Sequence, residues 1–380
     1  MNRYYQLFFS LLKMFSAPFL NFLTLFLGIK IYGKENWGEF ISISIWIYFF
    51  VLIAKWSGQN YLLKEFSKNT SGYLNIFYSN MLERSLFLLP SVVFFFIFPF
   101  HVALTSVILL ILMFIYNSYE ALIVYNQKFQ LQFVIEITGI ILIFMGFAIF
   151  PVFNLTTIFY LLSFSYFIKI SILFVTFNHC FKIININFSF KNLINTFPFF
   201  LIGFSGWLAS KCDIYVVSIF FTKNEIAEYQ IMITCFLFLQ AFPAYLILPI
   251  NKHLLRLSNT SINKIKKKLL IIALPAIVIG TISIWVVLNY LVKIQFSFLI
   301  YFFGALSTIP IFLYVIDVTQ LYRQNKERTI MFSSFLLFFI TIIFMLLLIP
   351  QFKILGVVVA ICITQWLYLF FIFKALDYEK

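Results

Sequence analysis

Residues 197–221 read FPFFLIGFSGWLASKCDIYVVSIFF. The run is long enough to cross a bilayer core as a helix, for which about 20 apolar residues suffice. Two charges, Lys211 and Asp213, interrupt it near its middle. A charge at the bilayer centre costs about 2.5–3.5 kcal/mol on insertion scales, so it rarely persists without a task. Residues two apart on a helix lie about 200° apart around the axis, so these two side chains point to different faces. Each needs its own partner.

The rest of the chain resembles this stretch. Of 380 residues, 63% are hydrophobic and 11% charged, with a mean hydropathy of +1.01. Such a composition lies outside the soluble globular range and predicts an all-α polytopic membrane protein. The formal net charge of +14 would suggest nucleic acid in a soluble protein, but here the basic residues fall between apolar runs, where they set topology. Nucleic acid is therefore not an expected partner. The 55 phenylalanines are read as compositional bias rather than as an aromatic site. Cys180, Cys212, Cys235 and Cys362 are scattered, with no C-x-x-C pair, so neither a metal site nor a disulfide framework is expected. The N-terminal stretch MNRYYQLFFSLLKMFSAPFLNFLTLFLG lacks a small-x-small cleavage site and reads as a retained first span, with no soluble domain on either side.

Apolar runs divide the chain into twelve expected spans, at 9–30, 40–63, 81–100, 103–126, 129–151, 155–178, 196–222, 226–250, 267–292, 295–321, 329–350 and 354–375. FPFH (98–101) is read as a tight hairpin, because one helix across the whole run of 86–126 would overfill the core. With the N-terminus and alternate loops placed on the cytoplasmic side, nineteen of the 27 Lys and Arg residues fall there, Arg84 included, and five on the other side. Lys55, Lys169 and Lys211 remain within spans. That asymmetry predicts cytoplasmic termini and an even number of spans. NKIKKK (263–268) reads as a topological anchor in contact with lipid headgroups.

The two halves of the sequence also repeat. GKENWGEF (33–40) matches TKNEIAEY (222–229), LFLLPSVV (86–93) matches IIALPAIV (271–278), EALIVYNQ (120–127) matches DVTQLYRQ (317–324), and PVF (151–153) matches PQF (350–352). Order is preserved and the offsets stay between 185 and 199. Six spans per half give both halves the same orientation, so two parallel six-helix lobes, 1–190 and 191–380, are expected around a central cleft.

The chain resembles the Wzx-type oligosaccharide flippases, within the multidrug/oligosaccharidyl-lipid/polysaccharide exporter superfamily. The likeness is carried by APFLNFLTLFLGIKIYGKENWGEF (17–40), with its YG-x-x-x-WG-x-F pattern, by WLASKCDIYVVSIFFTKNEIAEYQIMITCFLFLQ (207–240) and by LPINKHLLR (248–256). In the second stretch a charged position within a span is followed by a short outer loop with Glu before A-x-Y. The resemblance implies transport of an undecaprenyl-diphosphate-linked oligosaccharide repeat unit, of O-antigen or capsule type, from the cytoplasmic to the periplasmic leaflet of a bacterial inner membrane. It implies no cofactor. Its expected partners are the lipid-linked oligosaccharide, membrane lipids, a polysaccharide polymerase and a chain-length regulator. Two features depart from the family: the chain is compact, and its first span offers only Asn21 and Thr24 as mid-span polar groups.

Flipping requires a cationic, hydrated path for a diphosphate-sugar headgroup while the prenyl tail stays in lipid. Lys211 is the first candidate ligand for the headgroup, Lys55 the second, and Asn21 the polar group contributed by the first span. Asp213, Glu120, Asp317 and Lys169 are candidates for coupling or gating. Asp213 could instead hold geometry, Lys169 could snorkel, and Glu120 and Asp317, equivalent in the repeat, could anchor helices through Lys128 and Arg323. Glu136 is available as a further partner. A cation-coupled multidrug antiporter of the same superfamily would place acids rather than lysines in its path. An integral-membrane polysaccharide polymerase would need a long extramembrane loop with catalytic groups, and the longest expected outer connection is only the segment around 30–40. No nucleotide-binding or Ser-His-Asp constellation is present, so the chain is not expected to be an enzyme.

Overall fold

The computed structural model describes residues 21–56, 61–63, 65–66, 72–177, 188–247, 259–324 and 326–377. Every regular element among them is helical, as hydrocarbon demands of a backbone that must satisfy its own polar groups. In chain order these are α1 (Asn21–Tyr32), α2 (Lys34–Lys55), α3 (Tyr73–Ile97) and α4 (Phe100–Tyr125). There follow α5 (Phe129–Ile149), α6 (Leu155–Thr176), α7 (Phe190–Phe220) and α8 (Lys223–Ile247). The last four are α9 (Asn259–Val286), α10 (Phe298–Arg323), α11 (Glu327–Phe352) and α12 (Ile354–Asp377). Among the described residues, ten helices are long and apolar enough to cross a membrane. Each of the twelve expected spans overlaps a helix, although residues 9–20, 57–60, 178 and 248–250 of these spans lie outside the described residues. The chain is an all-α, multi-pass membrane protein.

Several boundaries differ from expectation, each for a local reason. Only Gly33 separates α1 from α2, at φ 84° and ψ 161°, a conformation essentially confined to glycine. The segment GKENWGEF is thus no loop but the opening turns of α2. Its Trp37 is 1% exposed and sits in an aromatic cluster, 4.6 Å from the Phe40 ring and 5.8 Å from Phe147. Tyr32 stacks on it at 6.0 Å, and the Tyr32 hydroxyl donates to the Phe150 carbonyl at 2.8 Å. The YG-x-x-x-WG-x-F pattern therefore ties α1 and α2 to the end of α5.

The matching segment TKNEIAEY is also helical from Lys223. Thr222 and Glu225 form a capping box in which the Glu225 carboxylate accepts the Thr222 N–H at 3.0 Å and the Thr222 hydroxyl accepts the Glu225 N–H at 3.4 Å. At the expected hairpin, Phe98 is extended and Pro99 caps α4.

Helix α3 starts earlier than expected, at Tyr73, and includes a 3-10 stretch at Leu86–Val93 containing Pro90. Proline removes an N–H and crowds the preceding turn, and the tighter winding accommodates this. Its repeat equivalent, Pro275, lies inside the continuous α9. The longer α3 also moves Arg84. Assigned above to a cytoplasmic loop, it is 1% exposed and lies inside the span.

The helices form two compact units, one of Leu27–Gly203 and the other of Phe204–Lys380 with Asn21–Phe26. The first contains a core built on Phe77, Tyr116, Tyr119, Leu122 and Leu173. The second has one core around Leu269, Ala273, Phe312 and Ile316 and another around Leu321, Ile330 and Ile372.

Candidate functional site

Within the first unit, Lys55 at the end of α2 pairs with Glu120 of α4 at 3.0 Å. The carbonyl of Lys55 accepts from Arg84 Nη1 at 2.9 Å. Arg84 also donates to the Asn80 carbonyl and to Ser118 Oγ, both at 3.3 Å, and lies 5.6 Å from the Phe114 ring centre. A single guanidinium thus ties α2, α3 and α4 around the Lys55–Glu120 pair. The next residue, Trp56, ends α2 in a left-handed conformation. Its ring is sandwiched between Phe87 and Phe200, each 4.1 Å away. An apolar cavity of about 300 Å³ adjoins it, lined by Trp56, Leu193, Ile194 and Phe197.

Lys169 of α6 is buried and does not snorkel. Its ammonium lies 2.7 Å from Glu136 Oε2 on α5, and Tyr116 donates its hydroxyl to Glu136 Oε1 at 2.5 Å. The rings of Tyr166 and Tyr116 flank the cation at 4.9 and 5.3 Å. Gly139 makes room for it, since a Cβ there would fall 2.0 Å from Lys169 Cε. Lys128, expected to anchor an acid, lies instead over the Phe177 ring at 4.6 Å.

In the second unit, Asp317 of α10 pairs with Lys266 of α9. The side chain of Arg323 lies outside the described residues. Glu120 and Asp317 are thus both ion-paired, yet their lysines come from helices that are not equivalent in the repeat. Asp213 is buried and accepts the Tyr229 hydroxyl through Oδ2. Its Oδ1 is buried with no hydrogen-bond partner among the described residues.

Lys211 differs from these charges. It is half-buried, and among the described residues no acid lies within ion-pair distance of its ammonium. The 189-residue offset of the repeat places Phe22 opposite Lys211 and Thr24 opposite Asp213, so the first half of the sequence carries no counterpart of either charge. Asn21 is exposed at the first described position of α1.

Sequence reasoning identified the lysines and acids but missed Arg84, Tyr116 and Tyr229 as their partners. Arg84 was hidden because YLNIFYSNMLERS looks like a polar connection. The tyrosines were hidden because a phenol that receives or gives one hydrogen bond is indistinguishable, in sequence, from the other aromatic residues around it.

No protein-family model and no curated protein sequence matches the chain. Among solved structures, its fold is similar to that of lipid II flippase MurJ in an inward closed conformation. The two share a TM-score of 0.76 and 15% identity, over 97% of this chain and 87% of that one.

Proposed function

We propose that the chain is a flippase for an undecaprenyl-diphosphate-linked oligosaccharide repeat unit, of O-antigen or capsule type, moved from the cytoplasmic to the periplasmic leaflet of a bacterial inner membrane by alternating access. The observation that carries this reading is that, among the described residues, no carboxylate forms an ion pair with the ammonium of Lys211, which stands midway along the apolar run 197–221. Lys55, at the end of α2, and Lys169, buried in α6, are each held by a carboxylate. A cation without an ion-pair partner at the centre of a bilayer costs about 2.5–3.5 kcal/mol, a cost that an anionic headgroup offsets when it binds. Lysine suits a diphosphate that must be held and then released, because it meets phosphate oxygens as a flexible point charge rather than a bidentate fork. A fold similar to that of a lipid II flippase supports a lipid-linked substrate, and the Wzx resemblance supports the oligosaccharide.

In this account Lys211 takes the diphosphate. Lys55 is a second cationic station, reached when the headgroup phosphate displaces Glu120 from it. Asp213 and Lys169 sit in the supporting framework, and Glu120 and Asp317 hold their helices through lysines. Replacing Lys211 by Ala in the bacterium that carries the gene is expected to abolish surface glycan while the protein remains in the membrane, and Lys211→Arg is expected to keep part of the display. Wild-type glycan levels from Lys211→Ala would remove Lys211 from the mechanism.

A further inference from the structure

The exposed surface of α7 changes character along its length. Toward its ends the exposed residues are large and apolar, Ile194 and Phe197 at one end and Ile219 and Phe220 at the other, as expected of a helix against lipid. In the middle they are Gly206 and Ser210. A Cβ built on Gly206 would meet none of the described residues within 4 Å. Beside this small, polar strip lie Trp207, Lys211 and Tyr215, all half-buried and spaced at i, i+4 and i+8 on one helical face.

The Trp207 and Tyr215 ring centres are 5.6 Å apart with planes tilted by 59°. Eight residues of helix span about 12 Å, so the rings approach only by leaning toward each other over the turn that carries Lys211. A cation on the same helical face as two rings that touch each other, beside small exposed residues rather than lipid-facing bulk, matches a sugar phosphate. The ammonium meets phosphate oxygens, and a ring face takes the C–H face of the adjoining pyranose, burying apolar area without requiring a particular hydroxyl pattern.

We infer that Trp207 and Tyr215 form a shelf that stacks on the sugar next to the diphosphate, with Trp207 as the principal contact. The inference rests on the flippase reading of Lys211 and adds the residues that recognise the saccharide. It separates two parts of the affinity, a charge-dependent part from Lys211 and a sugar-dependent part from the rings.

The test compares binding of two probes, undecaprenyl diphosphate and undecaprenyl diphosphate carrying one N-acetylglucosamine, to the full-length protein in detergent micelles. Because stacking uses a face common to pyranoses, the probe need not carry the native sugar. Wild type is expected to bind the glycosylated probe more tightly, and the ratio of the two dissociation constants is the readout. Trp207→Ala is expected to shrink that ratio about fivefold, the scale of one aromatic contact, and Trp207→Phe to keep most of it. A ratio in Trp207→Ala equal to wild type, or no preference for the sugar in wild type, overturns the shelf while leaving the flippase reading in place. If wild type binds neither probe, the flippase reading itself fails.

Discussion

Arg84 Nη1 donates to the main-chain carbonyl of Lys55 at 2.9 Å, so the residue that positions this lysine is another cation, acting through the backbone. The guanidinium satisfies the carbonyl at the end of α2, where no intrahelical donor remains, and its hydrogen bonds all go to neutral acceptors. Arg84→Ala leaves those buried acceptors unmet, and a loss of about 1–3 kcal/mol is expected for such a group. Thermal unfolding in detergent checks this. Arg84→Lys should recover only part of the loss, because one ammonium cannot reach the three acceptors that the guanidinium spans.

The Lys169–Glu136 pair should behave as a closed unit. Removing either partner alone, by Lys169→Met or Glu136→Gln, strands a buried charge or its hydrogen-bond partners, and breaking such pairs typically costs about 3–5 kcal/mol. The double replacement is expected to be more stable than the sum of the single losses predicts. Strict additivity in a double-mutant cycle of thermal stability would contradict the pairing.

Gly139→Ala tests the same cluster from the opposite side. The added Cβ would overlap Lys169 Cε and push the ammonium off Glu136. Its destabilisation should therefore shrink in a Lys169→Ala background, where no ε carbon remains, as measured by the same unfolding midpoints, whereas an undiminished effect there would place the strain elsewhere.

Gly33→Ala is expected to destabilise by about 1–3 kcal/mol, because the left-handed turn between α1 and α2 has no strain-free side-chain solution. A Cβ at Gly33 would meet nothing within 4 Å, so the cost is one of backbone conformation. An unchanged melting temperature would show that the turn adapts.

The extent to which these features could be read from sequence follows their physics. The positions and order of the helices are legible because hydrophobic runs must match a bilayer, and FPFH can be placed as a helix break because the run around it is too long for one helix. Ends of helices were less legible. GKENWGEF and TKNEIAEY are polar enough to look like loops, yet one needs only a single glycine for its turn and the other starts with a capping box. Lys211 and Asp213 stood out at once as charges in an apolar run. Their different fates did not, since Asp213 is occupied by Tyr229 from α8 and only packing brings that hydroxyl within reach. The pairings of Glu120 and Asp317 were hidden likewise, because the repeat preserves the acids but not their lysines.

The most direct measurement reconstitutes the purified protein in vesicles with an undecaprenyl-diphosphate-linked saccharide, fluorescent on its sugar and confined at first to one leaflet. A membrane-impermeant quencher then reports its arrival in the other leaflet. Transfer is expected with the wild-type protein, and transfer slower by about tenfold or more with Lys211→Ala, the consequence of losing about 1.4 kcal/mol of headgroup interaction. Saccharide that stays in its original leaflet with the wild-type protein, or equal transfer by the two proteins, would contradict the proposed mechanism.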